Sequence, residues 1–343
     1  MKQTDIIPAR PKRPRLSDVA ARCKVSKATV SRVLSLPADE CPIAEDTRRR
    51  VLKAVDELGY RPSWNARSLA RSRTNMVAIA YDASGAVPRG VYWEIVDALD
   101  VLLAQAGLCP MFMHTYANVG RFVDHLGDGR FDGCLSLGTL PTVALEVLAR
   151  NNVPTVLINA DADDAWNQVK VNDVAGTELA MRHLFSLGHR RITYNAGRRV
   201  NTHPSAITRA ATYTRLMREA GLEPDKPFIG PVEDCVAHLI DGPYRPTAVL
   251  DFEHWTAVRV LQQLWRCGKT VPRDMSLVTF NDTYPVEVTM PPLTAVALPA
   301  GDIAAHAMRM LVEQVENPDT PRQSVTLDET LKVRESTAAP SRE

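Results

Sequence analysis

Residues 16–35 read LSDVAARCKVSKATVSRVLS. Leu16, Val19, Ala20 and Cys23 recur at helical spacing and mark one face of a helix over residues 16–23. The pattern breaks at Lys24 and Val25. Ser26 is then placed to cap a second helix that begins at Lys27 and must stop before Pro37. In that helix Val30, Val33 and Leu34 form the inward stripe, while Lys27, Ala28, Ser31 and Arg32 share the outward face. A third helical stretch, DTRRRVLKAVDELGY at residues 46–60, puts Val51, Val55 and Leu58 on its core line, Arg48 to Arg50 outside and Gly59 at its C-terminal stop.

Two short helices joined by a tight turn and followed by a third make a helix-turn-helix arrangement, whose second helix lies in the major groove of DNA. There an arginine pairs bidentately with guanine and a small apolar side chain meets a thymine methyl. Arg32 and Ala28 fit those roles. Lys27 and Ser31 are able to reach bases or phosphates, and Thr29 completes the candidate set. Charge agrees with this: residues 1–75 hold 17 Lys and Arg against 8 Asp and Glu, whereas the remaining residues hold 24 against 32, although the whole chain is only +1. A basic module on an acidic body is what a chain needs if its first part alone meets a polyanion.

LSDVAARCKVSKATVSRVLS, together with DTRRRVLKAVDELGYRPSWNARSLA, closely resembles the N-terminal module of the lactose/galactose repressor family of bacterial transcription regulators, and the likeness runs through most of the chain. Three departures stand out. Lys24 occupies the position of the usual turn glycine, which strains the backbone if φ is positive there. The link LPADECPIAED is about three residues longer than usual. Ala44 stands where a capping serine is common, with Asp46 nearby as a substitute. The resemblance also implies that YRPSWNARSLARSRTN, residues 60–75, contains a hinge helix that folds on the operator. Its leucine, Leu69, would wedge into the minor groove and its arginines, Arg67 among them, would meet the backbone.

At 343 residues the chain is too long for one ordinary core. From residue 76 onward it alternates strand-like runs (MVAIAY, PMFMH, GCLSLG, PTVLIN, RITYNA, TAVLDF, MSLVTF) with helical ones (VDALDVLLAQAG, TELAMRHLFSLGH, YTRLMREAGL, VRVLQQLWRCG). The expected class is therefore α/β: a small all-α domain followed by two lobes of parallel sheet covered by helices. Such sheets bind ligands beyond the carboxyl ends of their strands. The resemblance implies a periplasmic-binding-protein-like effector domain whose chain crosses three times between lobes. The expected divisions are a basic tail at 1–14, the helix-turn-helix domain at 15–62, the hinge at 63–74, and the effector domain at 75–336. Its N-lobe would take about 75–174 and 300–325, its C-lobe about 175–299 and 326–336, with a disordered tail at 337–343.

For the effector, the resemblance singles out Arg209, suited to a carboxylate or a pair of hydroxyls, although a structural ion pair is the other use of such a side chain. Asn281 stands where an aspartate usually contacts a sugar, Trp93 matches a pocket-lining aromatic, and DFEHW at 251–255 replaces an Asn-Asp pair, putting Glu253 and His254 there, with Phe252 beside them as a further candidate. The altered polar set implies an altered ligand. The implied function is a repressor that binds a palindromic double-stranded operator as a homodimer under control of a small effector, a sugar or its derivative.

Other classes lack their marks. The six cysteines show no CxxC pair, so neither a zinc site nor a disulfide framework is indicated, and a cytoplasmic location is expected. No signal peptide or apolar run of membrane-spanning length occurs, which argues against an exported solute-binding protein. GDGRFDG at 127–133 has the wrong spacing for a dinucleotide loop, INADADDAW fails the calcium-loop template, and no hydrolase or phosphate-loop motif is present, so neither an enzyme nor a cofactor is expected.

Overall fold

The computed structural model describes residues 14–36, 38–61, 68, 73–81, 91–115, 119–160, 162–197 and 203–341. They form two compact units, divided between Thr74 and Asn75. Arg67 and Leu69, the expected hinge contacts, lie outside the described residues.

The first unit is three helices, α1 (Leu16–Cys23), α2 (Lys27–Ser35) and α3 (Glu45–Leu58). Val19, Val30, Val33 and Val51 meet at its centre with Ala54 and Tyr60, all buried. Leu34, Val55 and Leu58 are half-buried around them. Fully removing side chains of this size from water contributes about 1.5–3 kcal/mol each, the main favourable term in so small a core. Ser26 caps α2 as its sequence requires, its Oγ accepting from Thr29 N at 3.0 Å. Ala44 precedes α3 without a side-chain cap. Asp46 does not substitute, because its Oδ1 accepts instead from Arg49 Nη2 at 2.8 Å.

Lys24 adopts φ 54°, ψ 44°, the left-handed conformation. Its N–H donates to Ala21 O at 3.2 Å, and Val25 N–H donates to Ala20 O at 3.1 Å, so the turn closes α1 as a glycine would close it. A Cβ makes that conformation unfavourable by about 1–2 kcal/mol. Lys24→Gly is therefore expected to stabilise the first unit by about 0.5–1 kcal/mol after the added freedom of the unfolded chain is deducted. Calorimetry of the full chain checks this; a destabilised first unit would show that the lysine side chain matters more than its backbone strain.

The second unit contains two sheets. In the first, the strand order is β10 (Ser324–Leu327), β5 (Asn167–Val171), β4 (Thr155–Ile158), β3 (Gly133–Leu137), β1 (Met76–Tyr81) and β2 (Cys109–His114), all parallel. The second runs β11 (Thr330–Lys332), β9 (Thr294–Ala297), β8 (Ser276–Phe280), β7 (Ala248–Asp251) and β6 (Ile192–Asn195), with only β11 antiparallel. The central strands are buried along their whole length because helices cover both faces, which is why they read as unbroken apolar runs.

On the first sheet, α4 (Val91–Gln105) and α11 (Ala300–Glu316) pack Leu99, Leu103, Ile303 and Leu311 against Ile79, Leu135 and Val156. Gly133 permits the close approach of α11, since a Cβ there would meet Leu311 Cδ1 at 2.6 Å. α5 (Val119–Gly127) and α6 (Thr142–Arg150) cover the other face through Phe122, Leu126 and Leu148. On the second sheet, α7 (Asp173–Ser186) and α8 (Pro204–Glu219) contribute Met181, Leu184 and Tyr213, while α9 (Val232–Asp241) and α10 (His254–Arg266) contribute Leu239, Leu261 and Leu264.

The chain passes between sheets three times, after Val171, after Ala297 and after Leu327. The last passage comes slightly later than the expected boundary at 325, because β10 continues to pair with β5 through Leu327. The expectation of a disordered tail from 337 is also corrected for residues 337–341. Ala338 N donates to Ser276 Oγ at 3.0 Å, and Ser341 Oγ donates to Arg273 O at 2.7 Å. Just upstream, Leu277 N donates to Ser336 O at 2.9 Å. This segment satisfies polar groups at the start of β8 that would otherwise need water.

Candidate functional site

The first candidate surface is the outward side of α2. Lys27, Ala28, Ser31 and Arg32 are all exposed, while Val30 and Val33 on the opposite side are buried. Two valines held in the core thus fix which side chains face outward, and no carboxylate of the described residues pairs with Lys27 or Arg32. Thr29 differs from its neighbours. It is half-buried, and its hydroxyl lies 2.8 Å from Ser26 Oγ, so it serves the cap.

The second candidate site lies at the carboxyl ends of the second sheet. Strand β6 has β7 on one side and an isolated parallel bridge from Asn195 to Phe228 on the other, so the strand order reverses at β6, the kind of point where open sheets form a crevice. Asn195 and Asp251 end the two adjacent strands there. Asn195 Nδ2 donates to Asp251 Oδ2 at 2.8 Å. Asp251 is completely buried, and burial holds its carboxyl pKa well above the usual range despite this hydrogen bond.

Arg209, on α8, is only 4% exposed. Its Nε donates to Asp173 Oδ1 at 2.6 Å and its Nη1 to Phe252 O at 3.0 Å, while Nη2 lies 3.5 Å from Glu329 Oε1. The guanidinium sits 3.7 Å from the centre of the Phe280 ring and 5.6 Å from that of Phe252. A cation this deep is tolerable only because two carboxylates and a ring face supply the opposing potential. The trio of Arg209, Asp173 and Glu329 spans α8, the first passage between sheets and the third.

Glu329 is the less satisfied partner. Its side chain has no exposure, and neither carboxylate oxygen has a hydrogen bond among the described residues. Gly176 leaves it room, since a Cβ at that position would overlap Glu329 Oε2. Desolvation pushes the Glu329 pKa up to about 7, against the pull of Arg209 and with a further push from Asp173. A folded pKa above the unfolded one means that the folded chain holds this proton more tightly. The stabilising effect is fully present below about pH 4.5 and is lost as pH rises through about 7. Glu329→Gln is therefore expected to raise stability at pH 8, by up to roughly 3 kcal/mol, and to change it little at pH 5. Urea titrations of both chains at the two pH values test this, and an equal effect at both would assign the change to packing.

The other expected effector residues are divided. Phe252 is buried just after β7. Glu253 follows it at the start of α10, where its Oε1 accepts from Thr256 Oγ1 at 2.7 Å. Asn281 follows β8 with φ 68° and is half-buried, so these three and Arg209 gather at one end of the second sheet. Trp93 is elsewhere, on α4, where it and Tyr81, Tyr92, Val96, Phe112 and Leu137 line an apolar cavity of about 80 Å³. A larger cavity, about 240 Å³, adjoins the Arg209 trio through Asp173. Asn159 and Lys170 line it from the first lobe, and Ser205 and Thr208 from the second. None of these polar residues, nor Asp173 and Glu329, was a sequence candidate. Asp173 lay within a recognisable stretch, QVKVNDVAG, but nothing local marks Glu329.

Comparison with known proteins matches both units. Residues 15–63 match the family described as bacterial regulatory proteins, lacI family. Residues 181–337 match the periplasmic binding protein-like domain. The HTH-type transcriptional repressor CytR of Escherichia coli (strain K12) is 29% identical over 336 residues, 94% of this chain and 96% of that protein. A solved transcriptional regulator CelR–cellobiose complex is 26% identical with a TM-score of 0.70, covering 94% of this chain and 100% of that one. The lac repressor dimer bound to operator and the anti-inducer ONPF shares the fold, with a TM-score of 0.80 at 23% identity over 96% of this chain and 100% of that one.

Proposed function

We propose that the chain is a transcriptional repressor of the lacI family, whose description its residues 15–63 match, and that it binds a palindromic operator as a homodimer, under control of a neutral, polyhydroxylated effector held between its lobes. The observation that carries this is the capped helix α2 with four exposed candidate contacts, Lys27, Ala28, Ser31 and Arg32, on a chain that also holds a two-lobed body. We take residues 63–74 as the hinge, with Arg67 and Leu69 as its DNA contacts. A second copy would bury apolar side chains such as Phe112, Val288 and Met290, which are exposed in the second unit. Such a role is regulatory rather than catalytic, and is performed in the cytoplasm beside the DNA.

The effector class follows from charge. Arg209 is the side chain best suited to a carboxylate, but Asp173 and Glu329 already neutralise it. An acid effector would add a negative charge to a site where Asp173 already balances Arg209 and where Glu329 ionises as pH rises through about 7. Hydroxyls, in contrast, find donors and acceptors in Asn159, Asp173, Ser205 and Thr208. CelR, a relative, is known with the neutral disaccharide cellobiose. An effector that changes operator affinity has its own affinity changed by the operator by the same factor, typically 5–150-fold.

The test is operator binding by fluorescence anisotropy in the presence of matched panels of neutral sugars and sugar acids. At least one neutral compound is expected to change the operator Kd about fivefold or more. A response confined to sugar acids would contradict the neutral class, whereas specific DNA binding without any small-molecule response would contradict control by a sugar.

A further inference from the structure

The C-terminal segment is held against the second sheet by two imidazoles. His189, just before β6, is only 1% exposed, and its ring links the starts of three strands to the segment. Its Nδ1 lies 2.8 Å from Thr247 Oγ1, just before β7, and its Nε2 lies 3.0 Å from Ser276 Oγ on β8 and 2.9 Å from Ala338 O. A carbonyl oxygen only accepts, so Nε2 carries the proton and Nδ1 accepts from the threonine hydroxyl, as a neutral ring does. One residue earlier in the segment, Thr337 Oγ1 lies 2.9 Å from Nε2 of His183, on α7, and 3.3 Å from Thr294 Oγ1.

Neither ring forms an ion pair with a carboxylate of the described residues. The charged groups that act on His189 are His183 and Arg190, and both oppose its protonation. Acids close in sequence to its partners are turned elsewhere. Asp274, two residues before Ser276, accepts from Thr270 N and Thr270 Oγ1, each at 2.7 Å, and from Arg273 Nη2 at 3.1 Å. Glu335, just before Ser336, is exposed, and Asp282 is taken up by Arg334. Arg245 Nη1 donates to Ile240 O. Burial therefore holds both imidazoles below their ordinary value of 6.5.

We propose that residues 336–341 form an acid-released strap, docked while His183 and His189 are neutral and freed from the start of β8 when they take up protons. Undocked, the rings are hydrated and bind protons at their ordinary value, whereas docked they resist protonation. Docking is therefore fully favoured above about pH 6.5 and is weakened by up to about tenfold per ring for each pH unit below it. Glu329 responds in the opposite sense, so it does not produce this loss. Release breaks the hydrogen bonds of Leu277 N to Ser336 O and of Ala338 N to Ser276 Oγ. It also removes the wall that Pro340 and Ser341 give to a cavity of about 270 Å³.

Hydrogen–deuterium exchange of the full chain, read by mass spectrometry at pH 7.5 and pH 5.5 and corrected for the intrinsic rate, tests this. Peptides covering residues 333–341 and the start of β8 are expected to exchange about tenfold faster or more at pH 5.5, with peptides from β3 and β4 unchanged. His183→Gln with His189→Gln keeps an amide donor at each place but does not titrate, and should remove the pH dependence. His183→Gln alone changes only a half-buried residue and should reduce the dependence, which keeps the test decisive if the double variant does not fold. Equal corrected rates at the two pH values, an undiminished response in the His183→Gln chain, or a loss of protection shared by β3 and β4 would overturn the strap.

Discussion

Arg209→Ala is expected to lower the free energy of unfolding of the second unit by about 3–5 kcal/mol, because it leaves the carboxylates of Asp173 and Glu329 without their counter-charge in a buried place. The cost should be smaller at pH 5 than at pH 8, since Glu329 takes up a proton more readily once the arginine is gone. Adding Glu329→Gln to Arg209→Ala should recover part of the loss. The non-additivity measures the coupling between the two side chains. Urea denaturation of the single and double variants gives these quantities directly. Arg209→Lys is not a conservative control, because an ammonium cannot reach Asp173, Phe252 O and the Phe280 ring face together. A loss below about 1 kcal/mol would mean that the trio is wetter and less coupled than its burial implies.

Arg32→Ala is expected to cost about 1–3 kcal/mol in operator affinity, as the loss of a bidentate contact to one guanine does, and to relax base preference at one position of each half-site. Lys27→Ala should instead weaken binding nearly uniformly across sequences and reduce its salt dependence if it meets phosphate. Neither change touches the core formed by Val19, Val30, Val33 and Val51. The folded state should therefore be unaffected, and gel-shift titrations against the full and mismatched sites separate the two outcomes.

The first unit was largely legible in the sequence, because its architecture depends on local features: an apolar stripe on each helix, a serine at one cap and a glycine at one end. Even the strain at Lys24 was anticipated, since only the φ value was missing. Strands such as Val156 to Ile158 were equally plain, being buried on both sides. The short strands β10 and β11 were not, since both are only half-buried and carry too few apolar residues to form a pattern. The segment at 337–341 has the composition of a loose tail, whereas its order comes from Ser276 and Arg273, remote in sequence.

The effector site shows the same limit. Resemblance directed attention to Arg209, Phe252, Glu253 and Asn281, and the fold gathers them at one sheet end. Whether Arg209 faces a ligand or a counter-ion depends on Asp173 and Glu329, which reach it across two separate passages between the sheets. No spacing rule connects residues brought together in that way. Trp93 matched an aromatic position but joins a different, apolar cavity, because α4 packs on the first sheet.

The most direct test of the central claim is selection of binding sites by the full chain from a pool of randomised DNA duplexes. Enrichment of inverted repeats with two half-sites, bound with nanomolar affinity and lost on Arg32→Ala, is the expected result. Recovery of unrelated sequences, bound no better than the starting pool and equally well by the Arg32→Ala chain, would contradict sequence-specific recognition by α2.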